Sequence, residues 1–299
     1  MKTNKTIVVL GVLLLVLITA KWIQDKQNNQ PIDIPGYKAY WAQVSPAGIS
    51  AFQIIQLEST LSFQRQDGLK WKVNDYDADL TQVNSLLDKI IAPKEIQLIA
   101  ENPAQHPGLG ISSSSAVISI PNDQGNKQVT LGNDTVGGTY IKLEGSDFVY
   151  LVSALPNQNR MSDLSAWVDP VIARFNQSEL AKLNIISGKD QLLLSKVESK
   201  WMYDGKEVNM TAINPLLMTL ESFATKGLLS EQEVSKLPKN PSTTLKIERD
   251  NQEPVTVNFY EIKDLAAVSI ESKPGVYGIS QESLKNFKPD KSELLNSGN

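Results

Sequence analysis

The chain has 299 residues, with 33 acidic and 29 basic side chains, a formal net charge of −4 and no cysteine. That length accommodates two domains of ordinary size. The acidic balance argues against a nucleic-acid partner, whose phosphates require a surplus of Lys and Arg, and the missing thiols exclude disulfides, thiolate nucleophiles, iron–sulfur clusters and zinc–thiolate sites together.

The first predicted element is an anchor over residues 1–23. Lys2 and Lys5 precede an unbroken apolar run from Ile7 to Ile18, and Lys21 and Trp22 follow it. As a helix, Thr6 to Ile23 is roughly 27 Å long, close to the thickness of a hydrocarbon core. Lys21 can snorkel and Trp22 suits the interface. The competing reading is a cleaved signal peptide. Cleavage after Ala20 would leave Ile18 at −3 and Lys21 at +1, a poor site for a peptidase that wants small residues at −3 and −1. Lys2 and Lys5 favour a cytoplasmic N-terminus, so the long remainder of the chain is expected on the far side of the membrane. Residues 24–40 read as a polar linker, opened by Gln24-Asp25-Lys26-Gln27-Asn28-Asn29-Gln30.

Residues 41–170 read as a first α+β repeat. Strands are expected at Phe52–Leu57, Leu61–Gln66 and Lys70–Val73. A helix follows, opened by Asp79 with Gln82 three residues on, the spacing of a capping box. Leu80, Val83, Leu86, Leu87, Ile90 and Ile91 form its apolar stripe. After a Pro-, Gly- and Ser-rich loop come strands at Ala116–Ile120, Gln128–Leu131, Thr139–Leu143 and Phe148–Val152. Residues 171–290 restate the pattern, with strands at Lys182–Ile186, Gln191–Lys196 and Lys200–Tyr203, a helix carrying Ile213, Leu216, Leu217, Leu220 and Phe223, then strands at Thr244–Glu248, Val255–Tyr260, Ala266–Ile270 and Gly275–Ile279. Residues 291–299 read as a tail. Trp71 and Trp201 lie 130 residues apart, Val83–Leu87 matches Ile213–Leu217 at the same offset, and Tyr150 matches Tyr277 at 127. A duplication accounts for this order of features. The expected fold is therefore α+β: a transmembrane helix, then two duplicated repeats, each an antiparallel sheet with one packed helix.

Candidate chemistry is sparse. His106 is the only histidine, and it sits in Asn102-Pro103-Ala104-Gln105-His106-Pro107-Gly108, which is turn chemistry, with Ser112–Ser115 near it. No Gly-x-Ser-x-Gly elbow accompanies that pair, so a surface loop is the expected reading. Asp75, Asp77 and Asp79 alternate as at the opening of a calcium loop, but Leu80 and Leu86 stand where an EF-hand needs Gly and Glu. Helix capping explains those carboxylates more simply. Trp71 and Trp201 could stack on sugars or lipids, yet their matched strand positions favour the core. Gly137-Gly138 and Gly108-x-Gly110 lack the Lys-Ser/Thr of a phosphate loop.

The pattern Phe63…Trp71-Lys72-Val73…Ala78-Asp79…Val83…Leu86-Leu87…Gly108-Leu109…Leu131-Gly132…Tyr140-Ile141-Lys142-Leu143…Val149-Tyr150-Leu151-Val152 resembles domain-of-unknown-function family 4340 (DUF4340). Where that family usually has Pro shortly after Gly-Leu, this chain has Gly110-Ile111-Ser112. The resemblance supplies no catalytic residues. It implies a bacterial, membrane-anchored protein, and its members often accompany ABC-type transporter components of the kind linked to gliding motility, which is association and not chemistry. The expectation is a single-pass protein of the bacterial inner membrane with its C-terminal region in the periplasm. It would act as a non-catalytic scaffold or accessory subunit of a transport or envelope assembly, partnered by membrane proteins such as ABC-type transporter components, with no cofactor and no nucleic acid. The alternatives are a binding module holding glycan or lipid between the repeats and a hydrolase using paired carboxylates.

Overall fold

A computed structural model describes residues 21, 34, 36–66, 69–122 and 125–295. The apolar run expected to anchor the chain lies outside the described residues, as does most of the polar linker. Among the described residues no helix is long and apolar enough to cross a membrane.

The fold begins inside the segment expected to be linker. Ile34, Tyr37 and Trp41 are buried, and α1 (Tyr37–Trp41) is one turn of helix. The Tyr37 hydroxyl donates to the Ile90 carbonyl and its ring packs edge-on to Tyr150. The Tyr40 hydroxyl donates to the Gln128 carbonyl at 3.0 Å and accepts from the Gln128 N–H at 2.8 Å. Aromatic rings with polar tips dock this turn although it is too short to be stable alone.

A meander of β1 (Ala51–Gln56), β2 (Ser59–Arg65), β3 (Trp71–Val73) and β4 (Tyr76–Asp77) leads to α2 (Leu80–Ile91). Then come β5 (Ile96–Ala100), β6 (Val117–Asn122), β7 (Gly125–Thr135), β8 (Gly138–Leu143) and β9 (Val149–Val152). They form a nine-stranded sheet in the order β4-β3-β2-β1-β6-β7-β8-β9-β5, antiparallel throughout. Side chains alternate about the pleat, so the register aligns one apolar face: Val73 beside Phe63, Phe63 beside Phe52, Ile54 beside Ile118, Ile118 beside Val129, Ile141 beside Tyr150. The Phe52 and Phe63 rings stack at 4.2 Å and Trp71 meets Phe52 edge-on at 5.6 Å. α3 (Gln158–Ser162) packs on β1, β2 and β7.

The second half follows β10 (Val171–Ala173). It comprises β11 (Leu180–Ser187), β12 (Asp190–Val197), β13 (Lys200–Tyr203), β14 (Lys206–Glu207), α4 (Met210–Glu221), β15 (Phe223–Ala224), β16 (Gly227–Leu228) and α5 (Glu231–Val234). β17 (Thr243–Arg249), β18 (Gln252–Ile262), β19 (Leu265–Ile270), β20 (Tyr277–Ile279), α6 (Gln281–Asn286) and α7 (Lys291–Leu294) complete it. Its nine strands run β14-β13-β12-β11-β17-β18-β19-β20-β16, again antiparallel. The protein is thus a mixed α+β fold built on two large antiparallel sheets.

Several expectations are corrected. Each half carries one long helix and further short ones, not a single helix. Leu80 is on the outer side of α2, whereas Val83, Leu86, Leu87, Ile90 and Ile91 are buried. Asp79 caps α2, accepting from the N–H groups of Thr81 at 2.8 Å and Gln82 at 3.2 Å, but its own N–H donates to the Trp167 carbonyl, so the capping box is half made. Phe223 lies beyond α4 in β15. Of the segment read as a tail, Lys291–Leu294 form α7, whose Leu294 is fully buried, and residues 296–299 lie outside the described residues. The Leu294 carbonyl accepts from the N–H of Asn209, the N-cap of α4.

Candidate functional site

The feature that best qualifies as a site is the junction of the two sheets. Short-range polar chemistry builds it from the connector between them. Asp163 and Asp169 accept from the N–H groups of Ser165 at 2.9 Å and Val171 at 2.8 Å, which fixes tight turns on either side of Trp167. Trp167 is buried; its indole N–H donates to the Met161 carbonyl at 2.9 Å and its ring meets Phe63 edge-on. Val168 bridges to Ala78, and the Asp169 N–H donates to the Asp77 carbonyl at 2.8 Å. Three residues later β10 pairs with β15, and the Phe175 N–H reaches the Leu220 carbonyl at 2.9 Å. The connector is therefore hydrogen-bonded to both halves within about ten residues.

Side chains cross the same junction. Asp77 and Lys273 form an ion pair at 2.7 Å. Burial pushes the Asp77 carboxyl up, but the hydrogen bond and charge of Lys273, with Lys72 and Lys70 near, outweigh it and hold the group below the usual carboxylate range. The Tyr277 hydroxyl is pushed up to about 12, first by burial and then by Tyr76, Asp77 and Asp169. It stays protonated and donates to the Pro274 carbonyl at 3.1 Å. Gly275, at φ 84°, lies where an added Cβ would sit 2.9 Å from the Tyr76 ring, so this turn needs glycine to approach the first half.

Two cavities open here. One of about 110 Å³ is lined by Lys72, Asp77, Asp169, Lys273 and Tyr277. The other, about 740 Å³, has apolar walls from Tyr76, Leu164, Leu228, Val234 and Val276, with Glu231 at its margin. A further groove of about 770 Å³ runs along the outer side of α2. The junction cleft is large enough for a small amphiphile or a short peptide segment. Asp163 caps a turn, Glu233 forms a capping box with Ser230, and Asp77 is paired. The carboxylates that depart clearly from ordinary behaviour, Asp77, Glu233 and Asp290, all titrate lower, the wrong direction for a general acid.

The residues singled out in the sequence are scattered. Asp79 caps α2 and Asp77 faces Lys273, while Asp75 is in the turn between β3 and β4. Among the described residues no three His, Asp or Glu side chains are grouped so as to hold a metal ion. His106 lies between two 3-10 turns, half-buried, with Nε2 at 2.8 Å from the Asp147 carbonyl. Ser112, Ser114 and Ser115 bond among themselves, and Ser115 Oγ donates to the Gly110 carbonyl. Trp71 and Trp201 are buried on their strands. An added Cβ on Gly110 would be 2.8 Å from the Asn133 backbone, and one on Gly132 would be 2.4 Å from the Leu109 carbonyl, so these glycines let the 107–111 loop lie on β7. Sequence reasoning missed Tyr76, Trp167, Asp169 and Lys273. Asp169 and Trp167 were legible as capping and aromatic residues at a domain boundary, but nothing in the sequence pairs Lys273 with Asp77.

The model of a family described as a domain of unknown function, DUF4340, matches residues 71–243. This is more than half of the chain, and the protein belongs to that family. The matched stretch runs from β3 to the start of β17 and so contains the whole connector. No curated protein and no solved structure matches the sequence.

Proposed function

We propose that the chain is a fused pair of copies of one α+β unit, carried on an N-terminal membrane anchor, that serves outside the cytoplasm as a non-catalytic scaffold or accessory subunit of a transport or envelope assembly. Several correspondences support the duplication. Both sheets have the same strand order. Asp163 accepts from Ser165 N–H and Oγ, and Asp290 from Ser292 N–H and Oγ, at a spacing of 127. The N–H of each long helix's N-cap, Asp79 or Asn209, donates to a carbonyl just past those turns, of Trp167 or Leu294. In each unit the Trp carbonyl, of Trp71 or Trp201, accepts from the residue before the N-cap, Ala78 or Val208.

The observation that carries the scaffold reading is the junction. Its polar groups join the halves to each other, and one continuous apolar core runs through both. A stiff two-sheet body on a tether suits the holding of partners. The test is affinity purification of the tagged full chain from its native membranes in mild detergent. A membrane-protein partner in constant ratio is the expected result; recovery of the chain alone, or from the soluble fraction, would refute the reading.

The 740 Å³ cleft favours a second reading, a module that binds an envelope amphiphile at the junction. Fractionated envelope lipids and glycans should then raise the unfolding temperature of the wild type, and Leu228→Arg should abolish that rise. No shift with any fraction rules this reading out.

A further inference from the structure

We propose that β5 is an interaction edge that pairs antiparallel with β5 of a second copy of this chain. Sheet edges offer unpaired N–H and C=O groups, and proteins blunt them by shortening or charging them. Three of the four edges of the nine-stranded sheets obey this: β4, β14 and β16 have two residues each, with Asp77 in β4, Lys206 and Glu207 in β14, and Lys226 just before β16. The fourth, β5, is Ile96-Gln97-Leu98-Ile99-Ala100, five residues without a charge. Among the described residues no strand pairs with its outer side.

The backbone sets the register. The Glu95 carbonyl accepts from Ser153 N–H, so Glu95 and Gln97 aim their backbone groups at β9 and Ile96 and Leu98 aim theirs outward. The register against β9 slips between Leu98 and Ala100, a bulge at Ile99. A bulge is itself a protective device, but this one leaves Ile96–Leu98 regular. Two copies related by a two-fold axis through Gln97 then place Ile96 opposite the partner's Leu98, giving about four backbone hydrogen bonds. Lys94 and Glu95 bend away before the strand and Glu101 follows it, so the two-fold axis brings the flank of one copy that carries Lys94 near the flank of the partner that carries Glu101. Lys94 and Glu101 are exposed, and neither forms a salt bridge among the described residues. The strand is thus complementary to itself in charge as well as in hydrogen bonding. The groove of about 770 Å³ along α2 ends at Pro93, Lys94 and Glu95, just before the strand. A contact of this size is weak in dilute solution and gains from confinement to a shared surface.

The chain has no cysteine, so one substitution reports the contact. In this register the two Gln97 Cα atoms form a non-hydrogen-bonded pair about 4.5 Å apart, within disulfide reach. Full-length Gln97→Cys, expressed in its native membrane and mildly oxidised, should give a covalent dimer many times more abundant than Lys189→Cys, which sits on a remote hairpin. Adding Lys94→Glu should abolish the excess, and adding Glu101→Lys to that variant should restore it, with thermal unfolding of the reduced proteins unchanged. Equal dimer from Gln97→Cys and Lys189→Cys would overturn the proposal. So would cross-linking of Gln97→Cys mainly to a different protein, or indifference to the charge swap.

Discussion

Gly138 and Gly145 both have positive φ, 144° and 73°, yet only Gly138 lacks space: an added Cβ would lie 2.1 Å from the Val152 carbonyl oxygen, whereas none lies within 4 Å at Gly145. Gly145→Ala should cost about 1 kcal/mol, the backbone penalty alone. Gly138→Ala should cost about 3 kcal/mol or more, because β9 must move. Urea unfolding of the two variants checks this, and equal losses would contradict it. Single residues also revise the sequence reading. The turn around His106 was legible from Pro103, Pro107 and Gly108, but its bond to the Asp147 carbonyl was not, because that partner is 41 residues away. His106→Ala is therefore expected to cost about 0.5–1 kcal/mol, the net worth of one hydrogen bond, and to leave function intact. Loss of function in a stable His106→Ala protein would revive the enzyme. For Asp77 and Lys273 the sign is fixed by the lowered carboxyl pKa: the pair's contribution is complete above the ordinary Asp value of about 3.9 and disappears as pH falls through the lower folded value. Both side chains are partly exposed, so solvent screening limits the coupling to about 0.5–1 kcal/mol. A double-mutant cycle of Asp77→Asn and Lys273→Met should give the same coupling at pH 7 and pH 5. A value that shrinks between them would refute the assignment.

At the scale of elements, α2 and α4 were legible because their apolar positions recur at helical spacing and, Leu80 and Phe223 apart, are buried on the helix where the stripe placed them. α1, β4 and β5 were not. α1 is one turn held by remote contacts of Tyr37 and Tyr40, β4 has two residues, and the alternation of β5 runs only from Ile96 to Leu98 before the bulge at Ile99 breaks it. Pro215 lies inside α4 and is exposed, and it removes one backbone donor from the helix. In α2 the residue 130 positions earlier is Ser85. Pro215→Ala should stabilise the protein by about 1–3 kcal/mol, less what proline saves in the unfolded chain. A destabilised variant would mean that the proline makes a packing contact of its own.

Across the whole molecule, much of the order of strands and long helices was legible because Trp71 and Trp201, and Tyr150 and Tyr277, recur at offsets of 130 and 127 within a periodic apolar pattern. The way the halves meet was not. It depends on Asp77 finding Lys273, 196 residues away, and on Val168 bridging to Ala78 of the first half while Val171 pairs with Ala224 of the second. Spacing within a sequence carries no signal for such contacts. The junction and the continuous core make the two sheets one body, and the scaffold reading rests on that unity. Hydrogen exchange of the full chain, followed peptide by peptide at rising sub-denaturing urea, tests it most directly. The central strands β6–β7 and β17–β18 are predicted to reach a common opening free energy and a common dependence on urea. If one sheet opens at low urea while the other stays protected, the two halves are independent and the single rigid body is wrong.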